Sequence, residues 1–523
     1  MRRRSGMAVL LAAMLMAVVS LLTATQADAG ANVGANAGAD AGAPAAPRDF
    51  ALVDAIAWGA NQSTISAFRA AGQERWLQSQ LHPAPGDHLP QAAQQQIDAL
   101  ALSKRSALAL ATDFDAVGRV ASEIADPDLR AAAQKTFQED MTDIARQAAA
   151  VSILRALYSP DQLLERMTWF WFNHFNVHQY KDKLRVLVGD YERTAIRKHA
   201  LGHFRDLLMA TLRHPAMLRY LDNADNAVGH INENYAREIM ELHTMGVGSG
   251  YSQKDVEALA GILTGVGIDL KPEGPKLKPE LQHLLVRDGL FEFNPARHDF
   301  GDKVFLGTTI KGSGFTEVEQ ALDLLCASPA TAQHISREIA VYFVSDDPPK
   351  ALTDRMAQTF AQTQGDIARV LDTMFHAPEF TATLQTRFKD PVRYVLSAVR
   401  LAYDDKVIVN TVPIQNWFNR LAEGLYNHLT PDGYAMVASA WDSSGQMMTR
   451  FEIARQLGSN SSGLFKPAGP AAVEQPAFPL LQNGLYFDGL QSELSAQTRA
   501  ALDRANSPQD WNTLFLSSPE FMR

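Results

Sequence analysis

Apolar positions recur at helical spacing along most of the chain, and no alternation of strand-like and helix-like stretches interrupts them. That pattern predicts an all-α fold, a large multi-helix domain, and disfavours a parallel-sheet fold. Helices are expected over 64–80, capped by Ser63 and stopped by Pro83 and Pro85, over the Gln- and Ala-rich 90–110 region, and over 129–158. On the next, 162–177, Leu163, Met167, Phe170 or Trp171, and His174 share one stripe. Further helices follow at 191–212, 232–245, 254–264, 317–327, 331–344, 353–362, 367–376 and 391–403. Two short runs, Phe291-Glu292-Phe293 and Val304-Phe305-Leu306, are rich in β-formers and flank a polar turn, so a small β-hairpin is expected near 290–310.

The first residues break the helical pattern. Arg2, Arg3 and Arg4 precede an apolar run from Met7 to Leu22, and Ala27-Asp28-Ala29 follows as a small-x-small site. This is the layout of a signal peptide, residues 1–29, cut after Ala29, with an uncleaved anchor as the alternative. Ser5-Gly6-Met7 continues the arginine pair poorly for a twin-arginine signal, which favours Sec export. The 30–49 stretch of Ala, Gly and Asn reads as a disordered tether with little to bury. Residues 50–523 are then a single large helical domain, long enough for two lobes. An exported product, periplasmic or extracellular, is the expected destination, with no membrane span after cleavage.

The chain has 48 basic and 58 acidic residues, and removal of 1–29 takes its formal charge from −10 to −12. No Lys/Arg cluster offsets this, so nucleic acid is not an expected partner. Cys326, the only cysteine, excludes an intramolecular disulfide, and its amphipathic helical setting predicts a buried, inert thiol.

Three segments could carry chemistry. In TWFWFNHFNVH, 168–178, His174 and His178 are four apart and would share a helix face, the spacing of metal-binding helices. A core histidine behind an aromatic wall is the plainer reading, and Trp169 is a candidate substrate platform. In HINENYAREIMELHTMG, 230–246, Asn232 can cap a helix and Gly246 can end it. Asn232, Glu233, Asn234, Arg237, Glu238 and Glu241 crowd ten positions of it, and carboxylates pressed together would push one proton affinity upward. Glu233 and Glu238 are candidate proton-transfer groups, and Asn232, Asn234 and Arg237 candidate substrate contacts, Arg237 for an anionic group. In FNPARHDFGDK, 293–303, His298 beside Asp299 on a turn could be a general base or a metal ligand, while Asp299 could equally organise the turn. His174 and Asp299 are the candidate ligands for a divalent metal. No Gly-x-Ser-x-Gly elbow, phosphate loop, Cys-pair site or dinucleotide fingerprint is present.

Five stretches resemble a known bacterial family, the domain-of-unknown-function 1800 family. They are FWFNHF (170–175), NENYAREIMELHTMGVGSGYSQKDVEALAGILTG (232–265), FEFNPARHDFGDKVFLG (291–307), SPATAQHISREIAVYFVSD (328–346) and TPDGYAMVASAWDSSGQMMTRF (430–451). The opening around Trp58-Gly59-Ala60 and Trp76–Leu81 is similar too, so the resemblance runs from about residue 50 to the end. The chain departs at Phe172, where the family tends to carry another His. The resemblance implies an exported α-helical protein and genes often neighbouring a second exported family; it implies no reaction.

The resulting expectation is a cleft where the NHF, NENYARE and HDFG segments meet. There Glu233 or Glu238 and His298 would transfer protons, or His174, Glu238, His298 and Asp299 would hold a metal. Hydrolysis of an extracellular polymer is the first guess for an enzyme at that location. The rival is a non-catalytic partner of another exported protein, in which the same polar residues lock helix ends together.

Overall fold

The helix Gln162–His174 lies at the centre of the fold, and every one of its residues except Leu164 is buried. A helix apolar on one stripe would sit on a surface; one buried all round must satisfy its polar side chains internally. Gln162 does so by accepting from the Trp58 backbone N–H at 3.1 Å and donating to the Ser159 carbonyl at 2.7 Å. Glu165 pairs with Arg197 at 2.6 Å. Arg166 donates to the Ala55 and Ala57 carbonyls and lies 4.9 Å over Tyr342 and 4.7 Å over Phe343. The Trp171 indole N–H reaches the Ala200 carbonyl at 2.9 Å.

The computed structural model describes residues 47–271, 273–459, 461–467, 473 and 475–523. The expected signal peptide, and the tether as far as residue 46, lie outside the described residues. Helix makes up 61% and strand 4%, a mainly α fold as the apolar spacing predicts. Residues Ala45–Arg523 form one compact unit, and its apolar side chains join into a continuous core from Leu52 to Met522. The first described helix, Pro47–Ile56, starts three residues inside the stretch expected as tether. No described helix is long and apolar enough to cross a membrane.

Several boundaries differ from the expected ones for identifiable reasons. The 64–80 helix is two, Gln62–Ala71 and Gln73–Leu81, parted at Gly72 with φ 79°. Its cap is Asn61, whose Oδ1 accepts from Thr64 N at 3.0 Å, while Ser63 binds Asp404. The central helix ends at His174, which removes His178 from its face. Tyr191 Oη takes the Phe175 carbonyl at 2.8 Å, and the Asn176 amide is drawn to the carbonyls of His428 and Thr430. The helix Ala107–Glu123 was not expected, and only Leu110, Ala111 and Ala121 on it are buried, too sparse a stripe to read.

The β excursion is two small sheets. β1 (Val266–Ile268), β2 (Val286–Asp288) and β3 (Phe291–Phe293) form one in the order β1-β3-β2, antiparallel, with Val266 and Val286 both opposite Phe293. β4 (Lys303–Phe305) and β5 (Thr308–Ile310) form the other. The two runs expected to pair with each other therefore pair elsewhere. Gly265 explains part of this: its φ of +80° and a would-be Cβ only 2.6 Å from the Asn294 carbonyl let the chain after β3 pack on the start of β1. Cys326 sits half-buried on the helix Phe315–Ala327, and burial pushes its thiol up to about 12, consistent with an inert group.

Candidate acid–base site

The FWFNHF and TPDGY segments meet through backbone clamps. The Asn173 amide donates to the Tyr434 carbonyl at 2.9 Å and accepts from the Tyr434 N–H at 2.6 Å. Gly433 makes this approach possible: it has φ +70°, and a Cβ there would stand 2.2 Å from the Asn173 carbonyl oxygen. Asn176 holds the His428 and Thr430 carbonyls at 3.1 and 2.8 Å, and Tyr220 Oη donates to Leu429 O at 2.7 Å. The loop 428–434 is thus tied down at several points, with Asp432 exposed on it. Trp169 is buried and stacks on Tyr434, ring centres 6.3 Å apart, so it is a wall of this region rather than an open platform.

The NENYARE segment forms the helix Asn234–Glu238, which widens into a π-helical turn, Ile239–His243. The N-cap position falls on Glu233, not on Asn232 as expected; Asn232, one residue earlier, closes a local turn by accepting from Asn234 N at 3.0 Å through Oδ1, and its amide donates to the Asp222 carbonyl. Asn234 donates to Leu221 O at 3.2 Å. Arg237 pairs with Glu233 at 3.0 Å and Glu241 at 3.6 Å and also donates to Gln253. Two carboxylates therefore already neutralise the guanidinium expected to take an anion.

Glu238 differs from its neighbours. It is half-buried, and no hydrogen bond or ion pair to it occurs among the described residues. Burial first, then the Glu241 carboxylate, raise its proton affinity above the ordinary carboxylate range; Asp432 adds to this and Arg237 opposes it. Tyr251, close to Glu241, has its phenol pushed up to about 12 by burial and by that carboxylate. Glu238, Glu241 and Asp432 thus share one electrostatic neighbourhood with two phenols, Tyr220 and Tyr251.

His174 lies behind this cluster. Its Nε2–H donates to the His243 carbonyl at 3.1 Å, and His334 Nε2 does the same to Leu242 O at 3.1 Å. Both imidazoles thereby satisfy carbonyls at the end of the π-turn. Burial, with help from His334, holds His174 down to about 3, so it is neutral. The ring of His243 is fully buried, 6.0 Å from that of His174.

The HDFG segment sits in a different network. His298 and Glu317 are fully sealed from solvent and meet at 2.8 Å through Nε2 and Oε1. The other ring nitrogen, Nδ1, lies 2.8 Å from the Thr264 carbonyl. The Thr264 hydroxyl lies 3.1 Å from the same nitrogen. Burial would raise the Glu317 carboxyl, but His298, Lys303 at 2.8 Å and the N–H groups of Ser313 and Gly314 hold it down to about 2. Asp299 Oδ1 accepts from Gly301 N at 2.9 Å and shapes the turn. No hydrogen bond, ion pair or ring contact among the described residues joins this network to Glu238 or His174. Nor does any group of three or more His, Cys, Asp or Glu among the described residues have the arrangement of a metal site, the set of His174, Glu238, His298 and Asp299 included.

The structure thus brings together NHF, NENYARE and TPDGY, while the segment holding HDFG reaches NENYARE through Asn226, whose Oδ1 accepts from the Asn232 N–H at 2.9 Å and whose carbonyl accepts from Arg297 at 3.5 Å. Asp432 and the loop around it carried no expected role; the only signal was that TPDGY stood among the family-like stretches.

These features define a mainly α protein in which two helical carboxylates, Glu238 and Glu241, share a neighbourhood with Asp432 on a strapped loop. Residues 51–523 match the model of the family described as Protein of unknown function (DUF1800), and the chain belongs to that family. No curated protein and no solved structure matches it.

Proposed function

We propose that the chain is an exported protein, periplasmic or extracellular, whose Glu238 transfers protons in the hydrolysis of a polymer outside the cytoplasm. The single observation that carries this reading is Glu238 itself, half-buried and unpaired among the described residues, with its proton affinity raised by burial and by two further carboxylates, Glu241 and Asp432. A carboxyl with raised proton affinity can donate to a leaving oxygen while a neighbouring ionised carboxylate takes a proton from the attacking water. Asp432, exposed on its loop, is the candidate for the second role. Water then adds across the broken bond and Asp432 returns its proton through solvent. Glu233, Arg237, Asn232 and Asn234 position the helix, and Trp169 backs Tyr434. His298 is assigned to the sealed network with Glu317, and no metal step enters because no ligand set is present among the described residues.

The test is release of new chain ends from a panel of polysaccharides and peptidoglycan by the purified full chain. Glu238→Gln should lower turnover at least about a hundredfold, whereas Glu233→Gln should leave most of it. Absence of turnover on every polymer, with Glu238 titrating in the ordinary carboxylate range by NMR, overturns the proposal.

A partner role is the second reading, and Val228, Ile231 and Val247, all exposed at the ends of the NENYARE region, favour it. It predicts that Val247→Asp abolishes association with a co-exported protein while Glu238→Gln does not.

A further inference from the structure

A groove of about 350 Å³ opens beside residues 425–427, on the segment that leads to Asp432. Its walls come from the helices Pro127–Tyr158 and Val412–Arg420 and from residues 425–427. What distinguishes it is side-chain chemistry. Five amides face it, from Gln179, Gln415, Asn416, Asn419 and Asn427, with the rings of Tyr180 and Tyr426, and Arg146 is its only charged lining residue.

The amides are ordered in a relay. Gln179 Nε2 donates to Asn427 Oδ1 at 3.1 Å, and Asn427 Nδ2 donates to Asn419 Oδ1 at 3.1 Å. The donor end of Asn419, an exposed residue, is left facing outward. Buried Gln179 anchors the inner end by also donating to the Leu425 carbonyl at 3.2 Å. Gly424 makes room for this: a Cβ there would stand 2.0 Å from Asn419 Oδ1 and 3.0 Å from Asn427 Nδ2. The backbone is held against preference on both sides, with φ +61° at Ala422 and +62° at Tyr426. Such positions persist only where surrounding contacts enforce them, and they cluster at ligand sites. Tyr180 is half-exposed, and the Arg185 guanidinium lies 5.2 Å over its ring and fixes its orientation.

We propose that this groove binds a neutral, polyhydroxylated chain, an oligosaccharide without carboxylate or sulfate groups. Amides supply paired donors and acceptors that match vicinal hydroxyls, an oriented phenol ring covers the apolar C–H face of a sugar, and the sparse charge disfavours an ionic ligand. The inference rests on the acid–base reading, to which the groove is tied by the segment 425–432 that carries both its wall and Asp432. It names the substrate class for that site.

Isothermal titration of the full chain with maltohexaose, cellohexaose, chitohexaose and a hexauronate tests it. Saturable binding of at least one neutral hexasaccharide is expected, weakened about tenfold, the weight of one stacking or hydrogen-bonding contact, by Tyr180→Ala and again by Asn419→Ala. Circular dichroism should show both variants folded, since both residues are exposed. Gly424→Ala should weaken binding by disordering the relay. No binding of any neutral hexamer, a preference for the hexauronate, or binding indifferent to both Tyr180→Ala and Asn419→Ala overturns the groove. Neutral binding that is intact in a protein without Glu238-dependent turnover sinks the acid–base reading alone.

Discussion

Two buried glutamates set opposite pH limits on stability. Glu192, which accepts from Tyr426 Oη at 2.8 Å, is raised by burial to about 7. The native state then holds a proton that the unfolded chain loses near its ordinary pKa. Stability falls as pH rises from about 4.5 to about 7, by roughly 3 kcal/mol, and is flat above. Glu317 has the reverse sign: held at about 2, it contributes fully above about 4.5, and roughly 3 kcal/mol is lost as pH falls toward 2. Urea melts across pH should show both limbs, and Glu192→Gln should flatten only the upper one. A third residue-scale expectation concerns Gly433. Gly433→Ala must adopt a left-handed φ and displace Asn173, so it should cost about 3 kcal/mol and lower the melting temperature. At this scale the sequence announces crowding, as at 232–241, but not partnership. The four-residue spacing of Glu233 and Arg237 announces their ion pair, but nothing in the letters marks Glu238 as the carboxylate without one. His298 beside Asp299 looked like a dyad, yet its carboxylate is Glu317, nineteen residues away.

Among the elements, legibility followed the width of the apolar stripe. The helix Pro391–Tyr403 matches the expected span and is buried along its whole length. The sparse stripe of Ala107–Glu123 concealed that helix. The π-turn Ile239–His243 was not legible, because helical periodicity does not reveal one extra residue per turn. Three residues beyond that turn stands Gly246, with φ +86° and a would-be Cβ 3.0 Å from His334 Nδ1. Gly246→Ala should therefore push His334 off the Leu242 carbonyl. The expected reading is faster amide exchange at 239–246 and a loss of about 2 kcal/mol, with the remainder of the helices unchanged. Unchanged exchange in that turn would mean the imidazole caps contribute nothing to holding it.

For the molecule as a whole, with one cysteine in the chain, no intramolecular disulfide can contribute to stability, and reducing agent should leave the melting temperature of the purified protein unaltered. N-terminal sequencing of protein recovered outside the cytoplasm should begin at Gly30; recovery of intact Met1 there would remove the cleaved-signal reading. The central helix has a further consequence. It is buried on all sides, yet the groups that close over it come from both ends of the chain: Trp58 before it, Tyr342 and Phe343 well after, and the 428–434 strap, whose Tyr434 is hydrogen-bonded to Asn173 across 261 positions. While the chain emerges in order, residues 162–174 stay uncovered until more than four-fifths of it has been made. A long interval of that kind invites holdase chaperones and delays compaction until the strap has been made.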